Sequence, residues 1–191
     1  MSFITLTNLE LAPWWVAGVY WAFGALRVKP PKVMEGPGDR LFHTALMGLA
    51  FVLLFARRLD LGSLDLRFVP ERTWLRASGI LLTYLGAGIA IWARYSLGQY
   101  WSARVMLKVD HRLIRSGPYA YVRHPLYAGL LLAMVGTGLV VGEWRAVIGV
   151  VLGVLELSRK AAKEEALLAT EFSEDYSEYR KHAGFLTPRF R

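Results

Sequence analysis

Residues 125–142 read "PLYAGLLLAMVGTGLVVG", a run with no charged side chain. A helix of that length and composition approaches the thickness of a bilayer core. Similar runs recur at about 11–28, 41–56, 74–93 and 145–157, so the sequence predicts an all-α integral membrane protein with about five transmembrane helices. Only Glu143 and Trp144 separate the last two runs, which permits nothing longer than a tight helical hairpin. The fifth run continues as "LELSRKAAKEEALLATEF", keeping helical composition while turning polar, so this helix is expected to leave the membrane. The tail "SEDYSEYRKHAGFLTPRF" reads as a further short amphipathic piece.

Composition agrees. Hydrophobic residues make up 54% of the 191, and the mean hydropathy is +0.32, too apolar for an ordinary soluble domain. The absence of cysteine excludes disulfides, thiolate nucleophiles and cysteine metal sites. A net charge of +8 would suggest nucleic acid in a soluble protein, but here the basic residues flank apolar runs, so no nucleic-acid partner is expected. The first apolar run is preceded by no basic segment and followed by a polar loop, so no cleavable leader is expected.

With five spans, the loops at 27–40, 94–123 and 159–191 share one side and hold 17 of the 23 basic residues. That bias predicts a cytoplasmic C-terminus and an external N-terminus, in the cell membrane. The segment 57–73 alternates charged and apolar residues and reads as lying along the membrane surface. The stretch around "RVMLKV" alternates in the manner of an extended segment. Gly86/Gly88 and Gly136/Gly138 follow no strand; close helix packing, rather than a dinucleotide loop, is expected of them.

"RSGPYAYVRHPLYAG", residues 115–129, is a costly prelude to an apolar helix. Proline is favoured in a first helical turn, so the fourth helix should begin at His124-Pro125. The amides of Leu126 and Tyr127 would then face outward at the positive end of the helix dipole, an anion site in waiting. Arg123 adds fixed charge, and Tyr119, Tyr121 and Tyr127 add flat aromatic surface. Arg and Tyr at a helix end serve equally well as interfacial anchors. Further on, Glu156, Lys160 and Glu164 fall on one helix face; exposed, such residues form weak ion pairs, but a carboxylate where an apolar run ends needs a partner. His111, Asp110 and His124 match no zinc spacing, and no metal is expected.

"LGQYWSARV", "HRLIRSGPY", "GPYAYVRHPLYAG" and, beyond a short hairpin, "EEALLATEFSEDYSEY" together resemble the isoprenylcysteine carboxyl methyltransferase family, and more loosely the membrane phospholipid methyltransferases. The resemblance covers about 97–188. With the three apolar runs of 1–96 read as spans, the chain is expected to form one membrane domain, and the resemblance implies that 97–191 is its cofactor-binding and catalytic half. The resemblance also implies S-adenosylmethionine as cofactor, bound by His111, Arg112, Leu113, Ile114, Tyr119, His124, Pro125, Leu126, Tyr127 and Glu164. Lys160 stands where the eukaryotic enzymes place an arginine for the substrate carboxylate, with Arg159 adjacent; these two and Arg123 are the residues implied to face a lipophilic methyl acceptor entering from the bilayer. Lysine cannot form arginine's bidentate fork, which leaves a phospholipid, an amine or a small thiol open as acceptor. Some membrane reductases share a similar cofactor-binding end and use NADPH.

The orientation has a direct test, since the chain has no native cysteine. S116C should react with a membrane-impermeant maleimide only from the cytoplasmic side, and S2C only from outside.

Overall fold

The computed structural model describes residues 3–25, 31–34, 36–56, 59–101, 106–108 and 112–189. Five long helices dominate: α1 (Phe3–Ala25), α2 (Pro37–Phe55), α3 (Thr73–Leu97), α4 (Pro125–Val141) and α5 (Trp144–His182). They coincide with the five apolar runs. Two short strands, β1 (Pro31–Met34) and β2 (Met106–Lys108), pair antiparallel. The extended reading of "RVMLKV" therefore holds for 106–108, with its partner in a loop where no strand was expected.

The helices are apolar on the outside. Trp15 and Leu41 are each 71% exposed, and Phe23, Trp74 and Leu155 are similarly uncovered. Among the described residues, α2 and the stretch Thr73–Tyr100 are long and apolar enough to cross a membrane. Neither is a buried core helix, since only 17% and 28% of their apolar windows are covered by protein. Apolar surface of that extent on two long helices requires lipid or partner protein. The charge-free α4 has 17 residues, one turn or so less than a full span.

α3 and α4 form the closest pair in the bundle. A Cβ at Gly86 would run into the amide of Ala133 and the carbonyl of Gly129, and one at Gly136 into the carbonyl of Gly79. The seam is thus Gly79 and Gly86 against Gly129 and Gly136, a spacing of seven, which brings two backbones together where lipid offers no hydrophobic drive. This corrects the pairing expected from sequence: Gly88 faces open space, and Gly138 meets α5, not α3. Polar groups lock the same region. Thr83 and Thr137 return their hydroxyls to Gly79 O and Ala133 O at 2.9 Å each, and Trp14 Nε1 donates to Thr137 Oγ1 at 2.9 Å. Glu10 of α1, 6% exposed, is ion-paired with Arg76 of α3.

α4 ends at Gly142 in the left-handed conformation (φ 69°), and Glu143 is the N-cap of α5, so the two helices form the tight hairpin expected. Segment 59–73 does not simply lie along the surface. It docks on this hairpin, with Phe68 N donating to Gly142 O (2.9 Å) and Arg67 donating to Val141 O (2.7 Å), which satisfies carbonyls orphaned at the end of α4. α5 runs on well past its apolar section and kinks at Ser173 (φ 37°, ψ −105°), where the amphipathic tail begins. The tail then folds back, and Val122 and Gly184 form a parallel bridge.

Gly86→Ala should lower the melting temperature in detergent by the equivalent of about 1–3 kcal/mol, because its Cβ meets backbone that cannot rotate away. Gly88→Ala should be neutral to within about 0.5 kcal/mol. Equal melting of both variants would dissolve the seam.

Candidate active site

The site starts with a turn. Gly117 has φ +60°, and a Cβ there would press on Ser96 Oγ of α3, so the Ser116–Gly117 corner needs glycine for both reasons. A 3₁₀ turn, Gly117–Ala120, follows and buries Tyr119. Tyr121 to His124 are then strapped by the tail: Gly184 N donates to Tyr121 O (3.0 Å), Arg123 N to Gly184 O (2.8 Å) and His124 N to Phe185 O (3.1 Å). α4 opens at Pro125 with His124 as N-cap and no side-chain cap, as the sequence predicts. The amides of Leu126 and Tyr127 therefore have no intrahelical partner.

Two carboxylates of α5 close over this entrance. Tyr127 Oη donates to Glu164 Oε1 at 2.5 Å, and His124 Nδ1 stands 3.7 Å from Glu164 Oε2. Glu165 Oε1 accepts from Arg123 Nε at 2.7 Å and lies 3.2 Å from His124 Nε2. Arg123 Nη1 also donates to Ala183 O (2.6 Å), and Arg180 Nε is 3.8 Å from Glu165 Oε2. The His124 ring lies parallel to Tyr127 (5.7 Å, 5°) and meets the edge of Phe185 at 5.2 Å. Burial opposes ionisation of Glu165, yet the bonds from His124 and Arg123 outweigh it and hold the carboxyl down at about 2. Tyr119 is pushed well above the usual tyrosine range, by burial first and by Glu164's charge second, and burial lifts Tyr179 to about 12. Both are neutral donors at physiological pH; Tyr179 Oη donates to Tyr119 O at 2.7 Å.

Lys160 is 5% exposed and sets its ammonium 5.8 Å from the centre of the Tyr127 ring. Arg159 turns the other way. It grips Glu156 with two bonds, 2.8 and 2.6 Å, reaches Asp39 Oδ1 at 3.3 Å and lies 4.9 Å over the Phe42 ring. Glu156, 1% exposed, also contacts His43 Nδ1 at 2.8 Å, and Asp39 pairs with Lys163. Of the three residues expected to face an acceptor, only Lys160 adjoins the Tyr127–Glu164 pair directly. Arg123 is spent on Glu165 and the tail, and Arg159 on the start of α2. The need of Glu156 for a partner was readable from sequence; the partners His43 and Arg159 were not, although a histidine inside an otherwise apolar run is the available signal.

Arg112, Leu113, Ile114 and Tyr119 line one small cavity of about 60 Å³, together with Tyr176 and Tyr179. It has room for about two waters or one edge of a larger ligand. Tyr176 is 1% exposed, and its hydroxyl has no hydrogen-bond partner among the described residues. Tyr176 was not expected at the site. Its place three residues before Tyr179, in "EDYSEY", was the only hint. Pro125 and Leu126 are buried beside Tyr127. His111 lies outside the described residues. No cluster of three metal-ligating side chains occurs among the described residues.

Because its folded pKa is depressed, Glu165 contributes stability that is complete above its ordinary value of 4.5 and is lost as pH falls toward about 2. Glu165→Gln should therefore melt lower than the wild type at pH 7, and the gap should close as pH falls through that window. A constant gap would mean that the charge is not what matters.

A family model described as the isoprenylcysteine carboxyl methyltransferase (ICMT) family matches residues 79–170. A protein-S-isoprenylcysteine O-methyltransferase of Schizosaccharomyces pombe is 35% identical over 100 residues, covering 51% of this chain and 42% of the relative. The one from Homo sapiens is 31% identical over 120 residues, covering 60% and 42%. This chain thus matches less than half the length of either relative. A solved structure of the eukaryotic intramembrane Ras methyltransferase ICMT superposes with a TM-score of 0.59 at 21% identity, over 82% of this chain and 54% of the other, a likeness of fold. Residues 79–170, which contain Tyr119, the start of α4 and the Glu164–Glu165 pair, thus match the isoprenylcysteine carboxyl methyltransferase family over nearly half of the chain.

Proposed function

We propose that the protein is an S-adenosylmethionine-dependent membrane methyltransferase whose acceptor is lipophilic or reached from the bilayer. The observation that carries the reading is the hydrogen bond from Tyr127 to Glu164, with His124 between Glu164 and Glu165. It joins the two sequence motifs of the resemblance into one polar cluster at a helix entrance.

The donor set suits the cofactor. The open amides of α4 and His124 suit a carboxylate, Glu164 suits an ammonium, and Tyr119, Tyr127 and Phe185 offer faces to a sulfonium or an adenine. The orphaned hydroxyl of Tyr176 and the cavity lined by Arg112, Leu113 and Ile114 leave polar capacity unused by the protein. When bound, S-adenosylmethionine supplies an activated methyl group on sulfur.

The chain's own work is alignment and exclusion of water. Tyr127 is fixed twice, by its bond to Glu164 and by the His124 ring stacked on it. Lys160 holds a buried positive charge beside that ring, where a negatively charged nucleophile would be drawn and oriented. A carboxylate or thiolate acceptor arrives ionised and needs no general base; an amine would need one, and Glu164 and His124 are the titratable groups at hand. The buried cation favours the anionic acceptor. Active site and C-terminus are assigned to the cytoplasmic side on the basic-residue bias alone.

The protein in nanodiscs should bind S-adenosylhomocysteine by calorimetry without any acceptor, and should transfer label from S-adenosylmethionine into a membrane extract. Glu164→Gln should weaken cofactor binding by about tenfold or more, since one charged acceptor is lost. Lys160→Met should leave cofactor affinity within about twofold while lowering kcat/KM by about tenfold or more. No binding heat would overturn the assignment, and binding of NADPH instead would favour a reductase.

A further inference from the structure

The end of the bundle opposite the Tyr127–Glu164 site carries a cleft of about 620 Å³, between segment 59–73, the first turns of α3 and the end of α4. The 17 residues of α4 put it about 25 Å from Pro125, so it is no part of the methyl-transfer site. Its mouth is charged with both signs, and its floor is apolar.

Among the described residues four arginines line the mouth, and three are already held. Arg67 donates to the carbonyls closing α4, Arg76 pairs with Glu10, and Arg145 donates to Leu53 O (2.9 Å) and pairs with Glu143. The fourth, Arg72, is exposed, and its side chain has no hydrogen bond or ion pair among the described residues. Arg72 is also the N-cap of α3 and supplies no side-chain cap, so the first amides of a 25-residue helix open beside its guanidinium. That is a place for an anion. The opposite sign stands next to it. Glu71 is 81% exposed and touches only Arg67, at 3.6 Å. Asp65 is already ion-paired with Arg145 (3.3 Å) and accepts from Leu61 N (2.7 Å), so Glu71 is the carboxylate open to an ammonium.

The floor is Ile80 with Leu139 and Val140, running down between α3 and α4. Around the mouth, Trp74 is 66% exposed, and Phe68 and Trp144 are stacked at 4.6 Å while both remain exposed. Exposed tryptophans beside arginines mark the level of lipid headgroups. A ligand with a phosphate, an ammonium and a hydrocarbon tail meets all three features at once.

We infer that this cleft holds one phospholipid with a zwitterionic headgroup: its phosphate on Arg72 and the start of α3, its ammonium at Glu71, and its acyl chain over Ile80 and Leu139. Headgroup pockets of this kind lie between membrane helices where basic side chains meet the interface.

Native mass spectrometry of the full chain in detergent tests it, with dioleoyl-phosphatidylethanolamine, dioleoyl-phosphatidylglycerol, dioleoylglycerol and inorganic phosphate as probes. The full chain should retain one phosphatidylethanolamine, about tenfold more tightly than dioleoylglycerol, the margin of one charge-assisted contact. Arg72→Gln should lose that margin without a change in melting temperature. Glu71→Gln should shift the preference toward phosphatidylglycerol, a readout that a folding defect would not produce. Equal retention of all three lipids, or an unchanged preference in both variants, overturns the inference. Displacement by millimolar phosphate would make this a phosphate site and overturn the lipid assignment. None of these outcomes depends on methyl transfer.

Discussion

Two adjacent carboxylates on α5, Glu164 and Glu165, accept from the entrance of α4, and the rest of the site is arranged around them. Burying two neighbouring negative charges is costly unless donors converge on both. Here they do: Tyr127 on Glu164, Arg123 on Glu165, and His124 within reach of each. The three donors occupy five consecutive positions at the start of one helix, which is why a charge-free helix begins with so polar a cluster. The cluster holds the start of α4 to α5.

The strap formed by the tail follows from the same need. Arg123 and His124 sit in irregular backbone, whose amides require acceptors. Gly184 and Phe185 supply them, while Ala183 accepts from the Arg123 side chain. The kink at Ser173 turns the end of α5 back far enough for this to happen. A second polar seam, Glu156 with His43 and Arg159 and Asp39 with Lys163, ties α5 to the start of α2. Lys160 is left between the two seams, facing Tyr127. One helix thus sends neighbouring cations to different duties by the 100° step between consecutive residues.

Helix positions were legible in the chain because they depend on local properties. A long apolar run must be helical in lipid, where no water can satisfy backbone amides. Pro125 and Gly142 bracket α4 for equally local reasons. The Arg-His-Pro-x-Tyr stretch and the Glu-Glu pair were legible as a combination. What neither showed was that Glu165, and not Glu164, takes Arg123, because adjacent residues on a helix look identical until the facing surface is known. The glycine seam misled for a related reason. Gly86 and Gly88 are close in sequence but lie on different helix faces, and only the approach of α4 reveals that Gly79 and Gly86 form the pair that touches.

Residue types and their order settle which segments are helical, which are apolar and where charge gathers, since each is a property of a few consecutive positions. Partner choice is of another kind. Arg159 meets an aspartate 120 positions away, and Trp14 meets a threonine 123 positions away. The strap between Val122 and Gly184 and the union of segment 59–73 with the α4–α5 turn likewise exist only once the helices have packed. Each joins faces whose meeting depends on every crossing in the bundle at once, and no window of sequence contains that information.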